Sequence, residues 1–448
     1  MASRTKHPHN CRIGFISTRF EGTDGVSLET RKWVRVLESL DYECFFFAGA
    51  SEWDASRSWI VPEAHFDHPA VEAINNQVFG VRTRPPEVTR QIQLLKDHLK
   101  SELYHFIDRF GIGLLVVENA LAIPMNIPLG LAITELISET GLPTIGHHHD
   151  FFWERKRFLV NSVWDYLNMA FPPHLPSIRH VVINSHAANQ LSLRTGVSNM
   201  VLPNVMDFDH PPAAPDAYCQ DLRQALQMAD GEWMFLQPTR VVPRKGIEHA
   251  IELTRRIGFR ARLVISNASG DEGMDYESYL REYAQILNVS VNFVSDIIQD
   301  QRSLSAGHKV YALYDIYPFA DLVTYPSDIE GFGNAFLEAV YFRRPIIVNN
   351  YSIFNTDIKP KGFEVIEFDS FITDAAVEKT LRVLENPALA QEMTSRNYTL
   401  ARRHYSFSVL ERHLQTLLAE CFGEENPHPV DSNPFPSPVP QEKRDEGV

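Results

Sequence analysis

Two glutamates flank a glycine-containing segment in the second half of the chain. Glu330 and Glu338 stand on either side of seven residues in the run DIEGFGNAFLEAVYF, where residues 331–334 precede a helical pattern. Unpaired N–H groups and the dipole at a helix start favour a bound phosphate, and glycine lets it approach the main chain closely. Carboxylates beside a phosphate are unfavourable unless they hold sugar or ribose hydroxyls. The segment therefore predicts a site for an extended nucleotide sugar; the alternative is a capped helix with its acids on a solvated face.

Two cations follow the strand-like run that begins at Trp233. Arg240 and Lys245 lie in the loop of WMFLQPTRVVPRKGIEHAIEL, directly before a helix predicted to open at Gly246. A planar Arg fork and a Lys point charge at the carboxyl end of a strand would neutralise a leaving diphosphate without a metal ion. The alternative is a pair of solvated basic residues, and the presence of the two glutamates in the same half favours the diphosphate site.

The first half opens with the strand-like run RIGFIST and a loop that contains residues 22–25. The loop does not have the spacing G-x-G-x-x-G, so the dinucleotide fingerprint of dehydrogenases is absent. Gly25 could close against a phosphate or a sugar from across a cleft, and a plain tight turn would have the same sequence. Both interpretations stay open.

The run GHHHDFFWERKRF combines three histidines, an acid directly after them and a basic cluster. Consecutive residues of an extended chain point to opposite sides, so residues 147–149 cannot all face one metal ion, and no metal site is predicted. One histidine at the strand end could bond a sugar hydroxyl, or its carbonyl could stabilise developing positive charge; an ordinary loop histidine is the alternative. The basic cluster could bind an anionic acceptor or form the solvated face of a helix.

Apolar runs of strand length alternate along the chain with longer helical patterns, such as residues 27–40 and 87–110. This alternation is typical of parallel sheets covered by helices, so the predicted fold class is α/β. Strands are predicted at 12–18, 43–48, 114–118, 143–147 and 180–184, and then at 233–237, 262–266, 291–294, 322–325 and 345–349. Asp207 and Asp209 form a D-x-D run just before a proline-rich linker, where we interpret them as turn residues.

The linker divides the chain into two α/β domains, residues 12–209 and 216–405, followed by a helix at 406–422. Open sheets bind ligands at the carboxyl ends of their strands, so the cleft between the domains is the expected binding site. The remaining tail, residues 423–448, is rich in Pro, Ser and charge and is predicted to be disordered.

Charge and cysteine usage exclude several classes of protein. The 448 residues include 42 Lys and Arg against 57 Asp and Glu, a formal net charge of −15 that disfavours nucleic acid and anionic membranes as partners. The four cysteines show no C-x2-C spacing, so neither a zinc ribbon nor a disulfide framework is predicted. The start lacks the apolar segment of a secretory signal, and no stretch approaches the length of a membrane span. We expect a cytoplasmic protein.

Together, these segments resemble the retaining glycosyltransferases of family 4, which have the GT-B architecture of two Rossmann-like domains that face each other across a cleft. The resemblance covers residues 12–422 and is strongest in PTRVVPRKG and YPSDIEGFGNAFLEA. The runs GTDGVSLE, HHHD, VINSHAA and VLPNVMD match the first-half and hinge segments. The hinge departs from the family in having Asn-Val-Met-Asp where Asn-Gly-Val-Asp is usual.

The resemblance implies that residues 12–209 form the acceptor domain, that residues 216–405 form the donor domain and that the helix at 406–422 returns to the N-terminal domain. It also implies a role for each candidate residue. Arg240 and Lys245 would bind the donor diphosphate, and Glu330 would lie by the donor hexose. His149 would approach the donor sugar, and Glu338 would bind the ribose. The further donor contacts would be Gly25, Gly331, Phe332, Gly333 and Asn334.

We therefore expect a hexosyltransferase that moves glucose or mannose from GDP-mannose or UDP-glucose with retention of configuration. Catalysis by positioning and diphosphate stabilisation requires no further cofactor and no metal. The expected acceptor is a small soluble anion, such as a sugar phosphate or a glycosylglycerate, bound partly by Asp150, Arg155, Lys156 and Arg157. The alternatives are a lipid or polysaccharide acceptor, a non-catalytic nucleotide-sugar-binding protein and a GT-B-shaped epimerase.

Overall fold

The computed structural model describes residues 12–22, 24–268, 274–305 and 308–422, and the predicted disordered tail lies outside them. Two parallel sheets carry the fold. The N-terminal sheet has the strand order β3-β2-β1-β4-β5-β6-β7. Its strands are β1 (Arg12–Ile16), β2 (Glu43–Ala48), β3 (Ser58–Ile60), β4 (Ile112–Glu118), β5 (Thr144–His148), β6 (Ile178–Val182) and β7 (Asn199–Val201).

The C-terminal sheet has the order β10-β9-β8-β14-β15-β16, and a small three-stranded sheet lies beside it with the order β11-β13-β12. The strands are β8 (Trp233–Gln237), β9 (Ala261–Ile265), β10 (Val291–Phe293), β11 (Ile298–Gln299), β12 (Ser303–Ser305), β13 (His308–Ala312), β14 (Leu322–Tyr325), β15 (Ile346–Asn349) and β16 (Ile366–Phe368).

Helices connect the parallel strands. Those of the N-terminal domain are α1 (Gly25–Ser39), α2 (Pro69–Val78), α3 (Pro86–Phe110), α4 (Ile127–Thr140), α5 (Lys156–Leu159), α6 (Trp164–Ala170) and α7 (Ser185–Thr195). The later ones are α8 (Leu222–Ala225), α9 (Ile247–Ile257), α10 (Met274–Ile286), α11 (Leu313–Ile316), α12 (Asn334–Tyr341), α13 (Asp374–Glu385), α14 (Pro387–Tyr405) and α15 (Phe407–Phe422).

The last helix packs on the first domain although it ends the described chain. α15 contacts α1, and its Leu410 and Leu414 share a core with Ile13 and Trp33. α1 begins where the Asp24 side chain accepts hydrogen bonds from two main-chain N–H groups, and it buries one apolar face against the sheet. The crossing of α15 therefore ties the end of the C-terminal domain to the N-terminal core.

Ion pairs hold the linker between the domains. Asp207 lies 2.9 Å from Arg35 of α1 and 2.9 Å from Nδ1 of His210. Asp209 accepts hydrogen bonds from Arg402 at 3.2 Å and from the Ser408 hydroxyl at 2.6 Å. The two acids of the D-x-D run are thus occupied by contacts between the linker and the crossing helices. Of the helices in the described ranges, none has the length and apolar character required to cross a membrane.

Candidate active site

Loops at the carboxyl ends of the two sheets meet between the domains. A Cβ placed on Gly331, in the loop between β14 and α12, would lie 3.5 Å from the main-chain oxygen of His149 and 3.4 Å from Ile183. His149 follows β5, and Ile183 follows β6, so both belong to the opposite domain. The structure therefore brings His149 and the loop after Glu330 together, as the resemblance implies.

Lys245 and Glu330 form a buried ion pair at the ends of β8 and β14. Lys245 Nζ contacts Glu330 Oε1, and each side chain is 9% exposed. Arg244, which the sequence analysis did not single out, lies 3.5 Å from the other oxygen of Glu330. The turn that delivers Lys245 needs a glycine next, because Gly246 has φ +55° and a Cβ there would lie 2.6 Å from the Pro326 carbonyl oxygen.

Burial and charge act against each other in this pair. Burial lowers the pKa of Lys245 although Glu330 acts to raise it. Burial also acts to raise the pKa of Glu330, but Lys245 and Arg244 hold it below its usual value. Glu330 is therefore a carboxylate at neutral pH, and it faces cations rather than lying on a solvated helix face.

Arg240 is the exposed cation of the same loop. Its side chain reaches solvent, and its charge contributes to lowering the pKa of Lys245, which places the two cations near one another. Arg240, Arg244 and Lys245 stand against the single carboxylate of Glu330, so the group keeps net positive charge on the side that belongs to the C-terminal domain. This arrangement is suited to a diphosphate.

Gly333 sits at the N-terminus of α12 with φ +127°, a conformation that other residues rarely adopt. A Cβ there would lie 2.8 Å from the Tyr351 hydroxyl. Phe332 is 2% exposed and packs against Tyr405, so its side chain belongs to the core and only its main chain is available in the loop. The side chain of Asn334 accepts a hydrogen bond of 2.8 Å from Asn204 of the hinge.

Glu338 lies one turn further along α12 and is buried. Its Oε2 accepts a hydrogen bond of 2.5 Å from the Tyr317 hydroxyl. Burial raises the pKa of Glu338, against the lowering effects of this hydrogen bond and of Lys32 in α1. A buried acid with one hydroxyl partner keeps acceptor capacity for a further hydroxyl, as a ribose contact requires.

Glu118 anchors the histidine run of the N-terminal domain. This carboxylate ends β4, is fully buried, and lies 2.8 Å from His147 Nδ1 and 3.6 Å from His149 Nε2. Burial acts to raise its pKa, but the two histidines hold it at about 2. The next residue, Asn119, accepts a hydrogen bond of 3.0 Å from the His149 main chain. His149 is thus positioned from both its ring and its backbone.

His148 points to the other face, as the alternation of an extended chain requires. Its Nε2 lies 2.9 Å from His180 Nδ1 in the N-terminal core. Burial lowers the pKa of His148, and burial likewise lowers the pKa of His180 to about 4. Both rings are therefore neutral at pH 7, with a structural role beneath the site.

Within the described ranges, one group of side chains has the composition and spacing to hold a metal ion. Ligand atoms of Glu118, His147 and His149 all lie within 4.8 Å of one another. Two of the three histidines face the same side, as alternate residues of a strand do, and the third ligand comes from the neighbouring strand β4. The Trp33 ring stacks on His147 with centroids 4.3 Å apart and closes the cluster on the side of α1.

The candidate acceptor residues are partly engaged with each other. Asp150 accepts a hydrogen bond from Asn119 at 2.9 Å, and Arg155 lies 2.5 Å from its other oxygen. Lys156 is exposed, and Arg157 lies over the Phe158 ring. The predicted positive spot is therefore present after His149, but its first arginine is neutralised by Asp150.

Gly25 is the first residue of α1, and no atom lies within 4 Å of the position that a Cβ would take there. The loop faces open space on this side.

The sequence patterns did not point to four residues that shape the site: Glu118, Asn119, Arg244 and Tyr317. The first two carry a signal in the sequence, because a polar pair ends an otherwise apolar strand at the edge where parallel sheets bind ligands.

Comparison with known proteins identifies relatives along most of the chain. Residues 220–400 match the family described as Glycosyl transferases group 1. The mannosylglucosylglycerate synthase of Thermotoga maritima is 31% identical over 435 residues, which cover 89% of this chain and 98% of that protein. A protein of the same name from Petrotoga mobilis is 31% identical over 380 residues, which cover 80% of this chain and 86% of that protein.

Solved structures share the architecture at low sequence identity. A glycosyltransferase from Rickettsia africae superposes with a TM-score of 0.65 at 13% identity over 93% of this chain and 99% of its own. Anabaena HepE, solved in complex with UDP-glucose, gives a TM-score of 0.63 at 13% identity over 92% of this chain and 100% of its own. The predicted α/β class with two Rossmann-like domains in a GT-B arrangement is confirmed.

Proposed function

The chain belongs to the family of glycosyltransferases that includes the mannosylglucosylglycerate synthases, and we propose that it transfers a mannosyl residue from GDP-mannose to glucosylglycerate. The names of the relatives supply the sugar and the acceptor. The charge on the acceptor agrees with the small soluble anion expected from the sequence. UDP-glucose is the second donor to be tested.

The observation that carries the proposal is the buried Lys245–Glu330 pair, which faces His149 across Gly331. One domain supplies cations at a strand end, and the other supplies a histidine at a strand end. A sugar diphosphate that lies between them would have its phosphates near Arg240 and Lys245. Its sugar would lie between Glu330 and His149. This is the arrangement that electrostatic stabilisation of a leaving diphosphate needs.

In the proposed reaction, the bond between the anomeric carbon and the donor phosphate oxygen breaks while the acceptor hydroxyl oxygen bonds to that carbon. The hydroxyl proton passes to the leaving phosphate, so no enzymatic nucleophile is required and the anomeric configuration is retained. Arg240 and Lys245 stabilise the charge that develops on the diphosphate. The main-chain oxygen of His149, which points at the loop of Gly331, would stabilise positive charge on the sugar.

Glu330 and Glu338 hold different parts of the donor in this proposal. Glu330 remains ionised through its pairing with Lys245 and would accept hydrogen bonds from the transferred sugar. Glu338 is bonded to Tyr317 and would accept from the ribose. Asp150, Arg155, Lys156 and Arg157 stay candidates for the acceptor side. The proposal needs no cofactor besides the nucleotide sugar.

The experiment is a matrix of donors and acceptors with the purified full chain. GDP-mannose, GDP-glucose, UDP-glucose and UDP-galactose would each be incubated with glucosylglycerate, glucosyl-3-phosphoglycerate, a lipid acceptor or no acceptor. Mannosyl transfer from GDP-mannose to glucosylglycerate, with the anomeric configuration read by NMR, is the expected result. The phosphorylated acceptor is included because a mannosylglucosyl-3-phosphoglycerate synthase of Petrotoga mobilis is 24% identical over 65% of this chain.

Other outcomes would contradict the proposal. Conversion of the donor without any acceptor would identify an epimerase or a hydrolase. Binding of a nucleotide sugar without turnover in any combination would identify a non-catalytic protein; a thermal shift measures that binding, since a ligand of the folded state raises its stability. Transfer to the lipid alone would overturn the choice of acceptor.

A further inference from the structure

Arg19 is the first cation after β1, and it leaves the sheet at the same edge as His149. β1 and β4 are neighbours, and a hydrogen bond of 3.2 Å from the Ser17 hydroxyl to the Glu118 carbonyl joins their carboxyl ends. The chain order of the sheet reverses between these two strands. In open α/β sheets, ligands bind at such a switch point. Arg19 follows Ser17 by two residues, so its main chain leaves the N-terminal sheet at this edge.

The N–H groups of the Arg19 guanidinium are available to bind a ligand. It lies over the Phe66 ring, 5.0 Å from the centroid, and its side chain is 35% exposed. Its nearest carboxylate oxygen, on Asp24, is 3.6 Å away, which is beyond hydrogen-bond distance. The Asp24 oxygens instead accept from two main-chain N–H groups and a hydroxyl at the start of α1. Across the ranges that the structure describes, Arg19 donates no hydrogen bond.

Other arginines of the same domain lack this freedom. Arg155, the first arginine of the basic cluster, directs Nε and Nη2 at Asp150 over 2.6 and 2.5 Å. Arg31, on α1, pairs with Glu52 at 2.6 Å. Each of these guanidinium groups donates hydrogen bonds to its carboxylate, whereas Arg19 has only an ion-pair contact of 3.6 Å with Asp24.

We propose that Arg19 binds the carboxylate of the acceptor through its guanidinium fork, an inference that rests on the proposed transfer to a sugar acid. A planar guanidinium stacked on an aromatic ring keeps its N–H edge in a fixed direction, which suits bidentate binding of a carboxylate. The donor diphosphate has Arg240 and Lys245 on the opposite domain. A single fork on the acceptor side matches the single negative charge of a glycerate.

The test compares two acceptors that differ only in that charge. Glucosylglycerate carries a carboxylate, and glucosylglycerol has a hydroxymethyl group in its place. Wild type should prefer the charged acceptor by at least tenfold in kcat/KM. Arg19→Gln should raise the KM for glucosylglycerate at least tenfold and remove the preference, while the KM for GDP-mannose and the rate with glucosylglycerol stay within twofold of wild type.

Arg57→Gln is the matched control. Arg57 also lies over a phenylalanine ring, at 5.6 Å from Phe46, and also pairs with a carboxylate, Glu38, with a side chain that is 33% exposed. It bonds the carbonyl of Cys44 at the opposite end of the sheet, away from the cleft. This variant should keep the preference of wild type. Arg19→Lys, which keeps the charge but not the fork, should restore part of the preference.

The results separate the two proposals. If wild type transfers equally well to both acceptors, or if Arg19→Gln keeps the preference, the role of Arg19 is overturned and the proposed transfer stands. An equal rise in the donor KM would assign Arg19 to the diphosphate and also overturn the inference. If wild type transfers to neither acceptor, the proposed function fails, and the role of Arg19 fails with it. The thermal midpoint of each variant shows whether it is folded.

Discussion

The side-chain amide of Asn184 donates a hydrogen bond of 2.7 Å to the main-chain oxygen of Gly331. The other end of the same amide accepts from the N–H of Ala187 and so caps α7. Beside it, Ser185 donates its N–H to Asp357 of the C-terminal domain at 2.7 Å. The loop after Glu330 is therefore held against the first turn of a helix in the opposite domain, which fixes how closely the two sides of the cleft approach.

Gly331→Ala should impair transfer without unfolding the protein. The new Cβ would lie 3.4 Å from Ile183 and 3.5 Å from the His149 oxygen, which is ordinary contact, so the free energy of unfolding should change by less than about 1 kcal/mol. The methyl group would stand between the two domains where the donor sugar is proposed to lie. We expect kcat/KM to fall at least tenfold. A near-native kcat/KM would show that the donor sugar does not bind in this space.

Gly333→Ala provides the contrast within the same loop. Here the φ of +127° and the approach of a Cβ to 2.8 Å from the Tyr351 hydroxyl should cost about 1–3 kcal/mol of folding free energy. Chemical denaturation of the two variants side by side tests this difference. Equal stability of the two variants would show that the loop backbone shifts to accommodate the new Cβ at residue 333.

Arg240→Ala should lower kcat/KM by at least 100-fold, about 3 kcal/mol of transition-state stabilisation. Arg240 is exposed, so its removal leaves no buried charge and the thermal midpoint should stay unchanged. Lys245→Ala should be as inactive but also less stable, because Glu330 would remain buried without its partner. A kcat/KM near wild type for both variants would show that the diphosphate binds elsewhere.

The two glutamates should differ in their kinetic effects. Glu330→Gln removes a carboxylate proposed to contact the transferred sugar, so it should lower kcat more than it raises the donor KM. Glu338→Gln should mainly raise the donor KM, because Glu338 is proposed to hold the ribose, which would be bound equally in the ground state and the transition state. Steady-state kinetics with varied donor separates the two effects. If both variants changed only KM, the division of roles would be incorrect.

Much of the fold follows from the sequence because its strands are buried runs between helical patterns. The ten predicted strands all overlap strands of the structure, and those at 43–48, 233–237 and 322–325 have the predicted ends. The predictions missed six strands: β3, β7 and β16 at the edges of the two large sheets, and β11, β12 and β13 of the small sheet. All of them except β13 are two or three residues long, which is too little alternation for a pattern to show.

The residue types of the candidate site can be read from the sequence, but which of these residues pair cannot. Lys245 and Glu330 are 85 residues apart, and they meet because β8 and β14 are neighbours in the sheet. The order of strands in a sheet is set by packing across the whole domain, which spacing along the chain does not encode. Glu118 was missed for the same reason, since His147 lies in β5, the strand beside β4, and His149 directly follows it.

Stability should fall between pH 8 and pH 5.5 through the buried His148–His180 pair. Burial holds the pKa of His180 at about 4, below the value near 6.5 of an unfolded histidine, so the unfolded chain binds more protons as the pH falls through 6.5. His180 alone should account for about 1.4 kcal/mol at pH 5.5. Denaturation curves of wild type and His180→Gln at both pH values measure it: the variant should lose less stability. A loss of the same size would assign the pH dependence to other groups.

Activity should survive removal of divalent metal ions. In the proposed reaction, Arg240, Lys245 and the N-terminus of α12 would together supply positive charge to the donor diphosphate, so no metal would be needed there. The measurement is the initial rate after dialysis against EDTA, with the metal content of the protein determined in parallel. Asp207 and Asp209 are engaged with Arg35 and Arg402, so they are poor metal ligands in this structure. If EDTA abolished activity and Mn²⁺ or Zn²⁺ restored it, the cluster of Glu118, His147 and His149 would be the place to look. In that case Glu118→Gln should lose both the bound metal and the restoration.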